Sequence, residues 1–178
     1  MIRKAVLALC IAAPLVACSE TEQEADATRA AATFYDIVLS ERTSGVPDAE
    51  MRAKLRPVIS PDLDSLLAQA AEAERRHTAR TNNEEPPYLQ GDIFSSLFEG
   101  ATGYEISGCD EKSERLIECE VQLVHDAEEP VQWKDRVMLG PSGADAWLVD
   151  DIAYGGGWDF APKGTLKEML RAVIEAEG

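Results

Sequence analysis

The sequence predicts an α+β fold, in which N-terminal helices pack on a curved antiparallel sheet of about four strands and a C-terminal helix follows. Apolar residues recur at helical spacing in the first half of the chain, whereas much of residues 103–153 alternates between apolar and polar. Near the end, Thr165 and Glu168 have the spacing of a capping box, which begins the last helix. Helices, then an antiparallel meander, then a helix is the element order typical of this class.

Three helices are predicted in the first half. Residues 27–38 carry an apolar stripe at helical spacing, and the glycine and proline of residues 45–47 end that helix. Asp48 caps a second, short helix that stops before Pro57. Ser60 then precedes a proline and an aspartate, a pattern that is typical of a helix N-terminus and predicts the third helix.

The segment between the third helix and the first strand is predicted to be mostly loop. Residues 75–90 turn polar and contain consecutive asparagines and prolines. After them, Asp92 is expected to cap a one-turn helix that ends before Gly100.

Four strands are predicted in the second half. Residues 103–109 pair with residues 116–125, and residues 131–139 pair with residues 146–153 through a turn at 140–143. The strand at 116–125 shows the clearest alternation, with one apolar side formed by Ile117, Cys119, Val121 and Leu123.

Length and charge limit the classes of function. The 178 residues suit one domain, and the 33 Asp+Glu against 17 Lys+Arg give a net charge of −16. Such a charge argues against binding nucleic acid, whose phosphates need a basic surface. It equally argues against electrostatic docking to anionic lipid, so a membrane attachment has to be hydrophobic or covalent.

Residues 1–17 are predicted to be a signal peptide that is removed. Arg3 and Lys4 precede an uncharged apolar run at residues 5–16. The run is too short for a transmembrane helix but has the size of a signal-peptide core.

The sequence Leu-Val-Ala-Cys at residues 15–18 resembles the lipobox of bacterial lipoproteins. The resemblance implies cleavage before Cys18 and attachment of acyl chains, such as palmitate, to the thiol and new amino group of Cys18. Ser19, where an inner-membrane lipoprotein carries aspartate, points to the outer membrane, with the protein facing the periplasm. An ordinary secretory signal with a coincidental cysteine is the alternative.

The mature chain is expected to comprise a lipidated tether at residues 18–25 and a single α+β domain at residues 26–178. Cys109 and Cys119 are the cysteines that remain once the signal is removed and Cys18 is lipidated. Because the compartment is oxidising, these two thiols are predicted to form a disulfide. A metal site is not expected, because His125 alone does not complete a ligand set.

A possible pocket or partner face is predicted on the second hairpin, formed by Trp133, Trp147, Asp150, Asp151 and Tyr154. Adjacent strand residues point to opposite faces, so only one of the two aspartates is expected to face a pocket. A buried carboxylate there would be a candidate general base. The other interpretation is a carboxylate that caps backbone amides or pairs with Arg136.

No catalytic constellation is found in the sequence. It contains no HExxH, no Gly-x-Ser-x-Gly and no Walker-type loop, and neither His77 nor His125 has a nucleophile in a suitable context. We therefore predict no catalytic residue, no metal and no cofactor.

Several short stretches together resemble a family of bacterial envelope lipoproteins, the domain-of-unknown-function family numbered 3828. They lie at residues 34–35, 55–57, 59–61, 91–100, 133–135 and 147–154. The resemblance implies a fold similar to the nuclear-transport-factor-2-like or cystatin-like cone, in which a bent sheet wraps over helices. It implies no reaction.

The functional prediction is a lipid-anchored module of the cell envelope that binds an envelope protein. It depends on the lipobox, the disulfide and the lack of a catalytic motif. The alternative is a small-molecule binder or isomerase-like enzyme that uses the cavity of the cone.

Overall fold

The computed structural model describes residues 21–143 and 146–178, and the predicted signal peptide and Cys18 lie outside these ranges. The α+β prediction is confirmed, with the sheet order β1-β2-β3-β4, every neighbouring pair antiparallel. The elements in chain order are α1 (Glu22–Glu41), α2 (Ala49–Leu55), α3 (Pro61–Arg80), β1 (Gly103–Ser113), β2 (Leu116–His125), β3 (Val131–Pro141), β4 (Trp147–Ala153) and α4 (Leu166–Ala176).

The first helix begins earlier than the predicted tether boundary at residue 25. Thr21 accepts a hydrogen bond from the Glu24 amide, and the Glu24 carboxylate accepts one from the Thr21 amide, so the two form a capping box. Residues 22–25 are therefore helical. The start of α1 is thus fixed by contacts between residues that are close in sequence.

The core lies between the inner face of the sheet and the helices. Helix α1 crosses all four strands, and α3 and α4 pack on one another beside β4. The inward side chains of β2 alternate as predicted, and Ile117, Val121 and Leu123 are fully buried. Bulges in the β1–β2 and β3–β4 pairings add curvature to the sheet.

The predicted disulfide is present between Cys109 and Cys119. The register of β1 and β2 places these two residues directly opposite one another. The bridge therefore joins two neighbouring strands close to the turn that connects them.

The one-turn helix predicted after Asp92 is wrong, since the segment from residue 92 to residue 99 forms bends and turns. The Asp92 carboxylate accepts hydrogen bonds from the Phe94 amide (2.8 Å) and the Ser95 hydroxyl (2.6 Å). Such a side-chain bond to a nearby backbone amide competes with helix formation. The residue expected to start a helix instead holds a turn.

Candidate functional site

The two tryptophans of the predicted pocket face lie on the inner side of the sheet. Trp133 is 5% exposed and Trp147 is 8% exposed, and both belong to the hydrophobic core. The Tyr154 hydroxyl donates to the Ile93 carbonyl (2.7 Å), and burial together with nearby carboxylates raises the pKa of Tyr154. Trp133 and Tyr154 therefore pack against the core on the concave side of the sheet, and Trp147 is also largely buried but borders a surface cleft.

A bulge in β4 interrupts the strand alternation from which Asp150 and Asp151 were predicted to face opposite ways. Asp150 is the extra residue of a bulge in β4, because its neighbours Val149 and Asp151 pair with consecutive residues of β3. Both carboxylates then reach Lys167: Asp150 bonds its ammonium (2.7 Å) and Asp151 accepts from its backbone amide (2.9 Å).

Asp150 and Lys167 join the beginnings of two helices. The Ser60 hydroxyl, which caps α3, donates to Asp150 (2.6 Å), and the Lys167 ammonium also bonds Asp62 (2.6 Å). Burial alone would lower the pKa of Lys167, but the hydrogen bonds and charges of Asp150 and Asp62 raise it. Because each of these charged groups has partners, we interpret the arrangement as structural. Arg136, which the sequence analysis considered as a partner of the aspartate, contacts Glu118.

A buried carboxylate that the sequence analysis did not single out lies nearby. Asp135 is fully buried and accepts hydrogen bonds from the Trp133 indole (3.0 Å), the Gly155 amide (2.8 Å), and both the amide (2.8 Å) and hydroxyl of Ser96. The sequence contained a signal for this buried carboxylate, because Asp135 is a charged residue at an inward position of the β3 alternation.

We call Asp135, Ser96, Trp133 and Gly155 the Asp135 network. It attaches two irregular segments to the sheet, namely the loop at residues 91–102 and the glycine turn at 155–157. The Gly155 backbone approaches the Lys134 carbonyl so closely that any side chain would clash. The Asp135 carboxylate accepts four hydrogen bonds. We therefore interpret the Asp135 network as a structural element that positions the loops, not as a reactive site.

We call the end of the molecule where α1 begins the proximal end, and the end where α1 finishes the distal end. At the distal end, three clefts meet around Ser44, which lines all of them. Their volumes are about 270 Å³, 590 Å³ and 400 Å³. We refer to the first as cleft A, to the largest as groove B and to the third as cleft C.

Groove B lies between α2, α3 and the loop that follows α3. Its apolar lining is small and aliphatic, formed by Val46, Ala49, Ala68, Ala71, Pro87 and Leu89. Glu74 holds the loop in place by accepting hydrogen bonds from the amides of Tyr88 (3.1 Å) and Leu89 (2.8 Å). Arg52 and Arg75 also line the groove and form ion pairs with Asp64 and Glu72, respectively.

Cleft A has a mixed lining. Phe98 is 56% exposed, which is unusual for a phenylalanine, and forms part of the apolar wall. His125 donates from Nδ1 to the Gly100 carbonyl (2.7 Å), since a carbonyl oxygen only accepts. Asp92 also lines this cleft, and burial raises the pKa of its carboxyl group. Both Asp92 oxygens are already bonded within the loop, as described above.

The proximal end has a more polar surface. A cleft of about 540 Å³ there is lined by the first turn of α1 and by residues of the β1–β2 and β3–β4 turns, including Glu22, Asp26, Glu114 and Arg115. It adjoins Trp147 at the start of β4.

Within residues 21–143 and 146–178, no group of three or more His, Cys, Asp or Glu side chains is suited to hold a metal ion. Across the same ranges, no helix has the length and apolar character needed to cross a bilayer.

Comparison with known proteins identifies a similar lipoprotein. The chain is 29% identical over 140 residues to the uncharacterized lipoprotein YbjP of Escherichia coli strain K12. The aligned region covers 77% of this chain and 71% of that protein. This similarity agrees with the lipoprotein prediction. No protein-family model matches the chain, and no solved structure matches it. The family and cone-fold resemblances drawn from short stretches therefore stay predictions.

Proposed function

We propose that this protein is a bacterial lipoprotein, anchored through lipid on Cys18 in the cell envelope, whose distal end binds an envelope protein. The anchor is supported by the lipobox at residues 15–18 and by the similarity to a protein named as a lipoprotein. Ser19 favours the outer membrane, with the domain facing the periplasm.

The observation that carries the binding role is the convergence of cleft A, groove B and cleft C around Ser44. Together they form a broad indented surface with an apolar floor in groove B and an exposed aromatic, Phe98, in cleft A. Partner-binding surfaces typically combine apolar pockets with a polar rim and accept a few large side chains. We propose that an apolar side chain of the partner enters groove B.

The alternative, a small-molecule or isomerase-like site inside the cone, has less support. Trp133 and Tyr154 pack against the core on the concave side of the sheet. The buried carboxylate of Asp135 is fully occupied by four donors. A general base needs a free lone pair directed at a substrate, and this geometry offers none at Asp135.

The test is site-specific photo-crosslinking in intact cells. A photoreactive amino acid replaces Ser44 in one variant and the exposed Glu114 of the proximal end in another, each beside a Cys18→Ser version. We expect Ser44 to capture one envelope protein, Glu114 to capture none, and Cys18→Ser to abolish capture. Equal capture from both positions, or no capture from Ser44, would refute the proposed binding face.

A second variant pair tests groove B itself. Ala71→Trp would fill the groove, whereas Ala79→Trp places the same side chain on an exposed position of the same helix. We expect Ala71→Trp to reduce the Ser44 crosslink strongly while Ala79→Trp leaves it unchanged, with thermal unfolding used to verify that both fold. Equal effects of the two variants would exclude groove B as the binding pocket.

A further inference from the structure

The distance between the predicted lipid and the folded domain is short. Three residue steps separate Cys18 from Thr21, which caps α1 through its capping box. Consecutive Cα atoms are about 3.8 Å apart, so Thr21 lies at most about 11 Å from Cys18. The start of α1 is therefore held close to the surface of the bilayer.

This attachment point lies at the proximal end of the domain. The first turn of α1 borders the same cleft as the β1–β2 turn at Glu114 and Arg115 and the β3–β4 turn at Pro141. Helix α1 has 20 residues. At about 1.5 Å per residue, its far end lies about 30 Å from the anchored end.

Charge opposes a domain that lies flat on the membrane. Removal of Arg3 and Lys4 with the signal changes the net charge from −16 to −18. Anionic lipid headgroups repel such a domain. The short tether holds the proximal end near the bilayer, whereas the net negative charge favours separation of the remaining surface from anionic headgroups.

We infer that the domain stands end-on, with the β1–β2 and β3–β4 turns facing the lipid headgroups and the clefts around Ser44 facing away from the bilayer. This inference rests on the proposed lipidation of Cys18 and goes beyond it by assigning the membrane-facing surface. Groove B and cleft A are then presented to a partner about one helix length from the anchor.

The test compares two hairpin turns at opposite ends of β2. Glu114 precedes the strand and Glu128 follows it, and both are exposed. An azide-bearing amino acid replaces each in turn and receives the same fluorophore, which leaves the cysteines untouched. The lipidated protein is then placed in vesicles of phosphatidylethanolamine and phosphatidylglycerol whose headgroups carry a nitroxide quencher.

We expect quenching to be several-fold stronger for the label at position 114 than for the label at 128. Equal quenching, or stronger quenching at 128, would overturn the end-on orientation. The Cys18→Ser versions provide the control and are expected to show no quenching at either position. Mass spectrometry separates the two hypotheses: a chain without acyl groups refutes the proposed anchor, whereas an acylated chain with equal quenching refutes only the orientation.

Discussion

The proximal and distal ends of this domain are held together by different chemistry. Near the proximal end, β1 and β2 are joined by the Cys109–Cys119 disulfide and by an antiparallel backbone pairing that continues on both sides of two bulges. At the distal end, the connecting segments are long and irregular, and the Asp135 network attaches them to the sheet.

The difference accounts for the three clefts that meet around Ser44 at the distal end. A strand ladder satisfies its own backbone and leaves little irregular surface, whereas a loop needs side chains to bond its amides. Asp135, Ser96 and Asp92 do this for the distal loops. Loops fixed in this way keep a defined shape without close packing, and clefts remain between them.

The largest expected effect comes from Asp135→Ala. It leaves the Trp133 indole, the Gly155 amide and Ser96 without their shared acceptor, and each buried unpaired group costs about 1–3 kcal/mol. We expect a loss of about 4 kcal/mol or more in the free energy of unfolding, measured by urea denaturation. Asp110→Ala, at an exposed position of β1, is the control and should change stability by less than about 0.5 kcal/mol. A small effect of Asp135→Ala would contradict the conclusion that the Asp135 network attaches the distal loops to the sheet.

Removal of the disulfide should cost less. Replacing Cys109 and Cys119 together by serine frees a loop with a sequence separation of 10 residues. Loop-closure entropy predicts a loss of about 2–3 kcal/mol in the free energy of unfolding. The same urea experiment measures it, and photo-crosslinking from Ser44 should persist. A loss larger than that of Asp135→Ala would reverse the ranking of the two ends.

A smaller effect is expected from the caps. Thr21→Ala removes the capping box of α1 at the proximal end, and Asp48→Ala removes the cap of α2 beside groove B. Each should cost about 1 kcal/mol. Hydrogen exchange should show faster exchange in the first turn of the affected helix only. Exchange that spreads to the other end would show that the two ends unfold as one unit.

The smallest effect is a pH dependence at the end of α4. The pKa of Glu177 is lowered to about 2, mainly by the hydrogen bond from Arg80. Burial acts to raise this pKa, and the hydrogen bonds with Tyr88 and His77 lower it further. Because this pKa is lowered in the folded state, the stabilisation is complete above the ordinary value of 4.5 and is lost as the pH falls toward about 2. Glu177→Gln should lower the unfolding temperature at neutral pH, with the difference from wild type disappearing near pH 2. The exposed Glu175→Gln should show no such convergence, and a pH-independent difference for Glu177→Gln would show that its charge is not responsible.

Local patterns in the sequence were sufficient for most of the fold. The N-caps at Asp48, Ser60 and Thr165, together with the alternation of β2, predicted helices and strands that the structure contains. These signals work because a cap bonds an amide two or three residues away and strand alternation repeats every second residue. The disulfide was also predictable, because two thiols remained once the other cysteines had been assigned.

The candidate site could not be predicted in the same way. The predicted pocket face became part of the core and of the contacts around Lys167, because a bulge at Asp150 changed the alternation assumed for β4. The surface at Ser44 joins segments far apart in the chain, among them α1, α3 and the end of β2.

The sequence by itself determined helices α1–α4, strands β1–β4, their order and the pairing of Cys109 with Cys119, and it predicts the lipid anchor. The tertiary structure decided where Asp135 finds its donors and where the clefts open. Helix caps and strand periods depend on neighbours in sequence, whereas a buried network and a cleft depend on which distant segments meet in space.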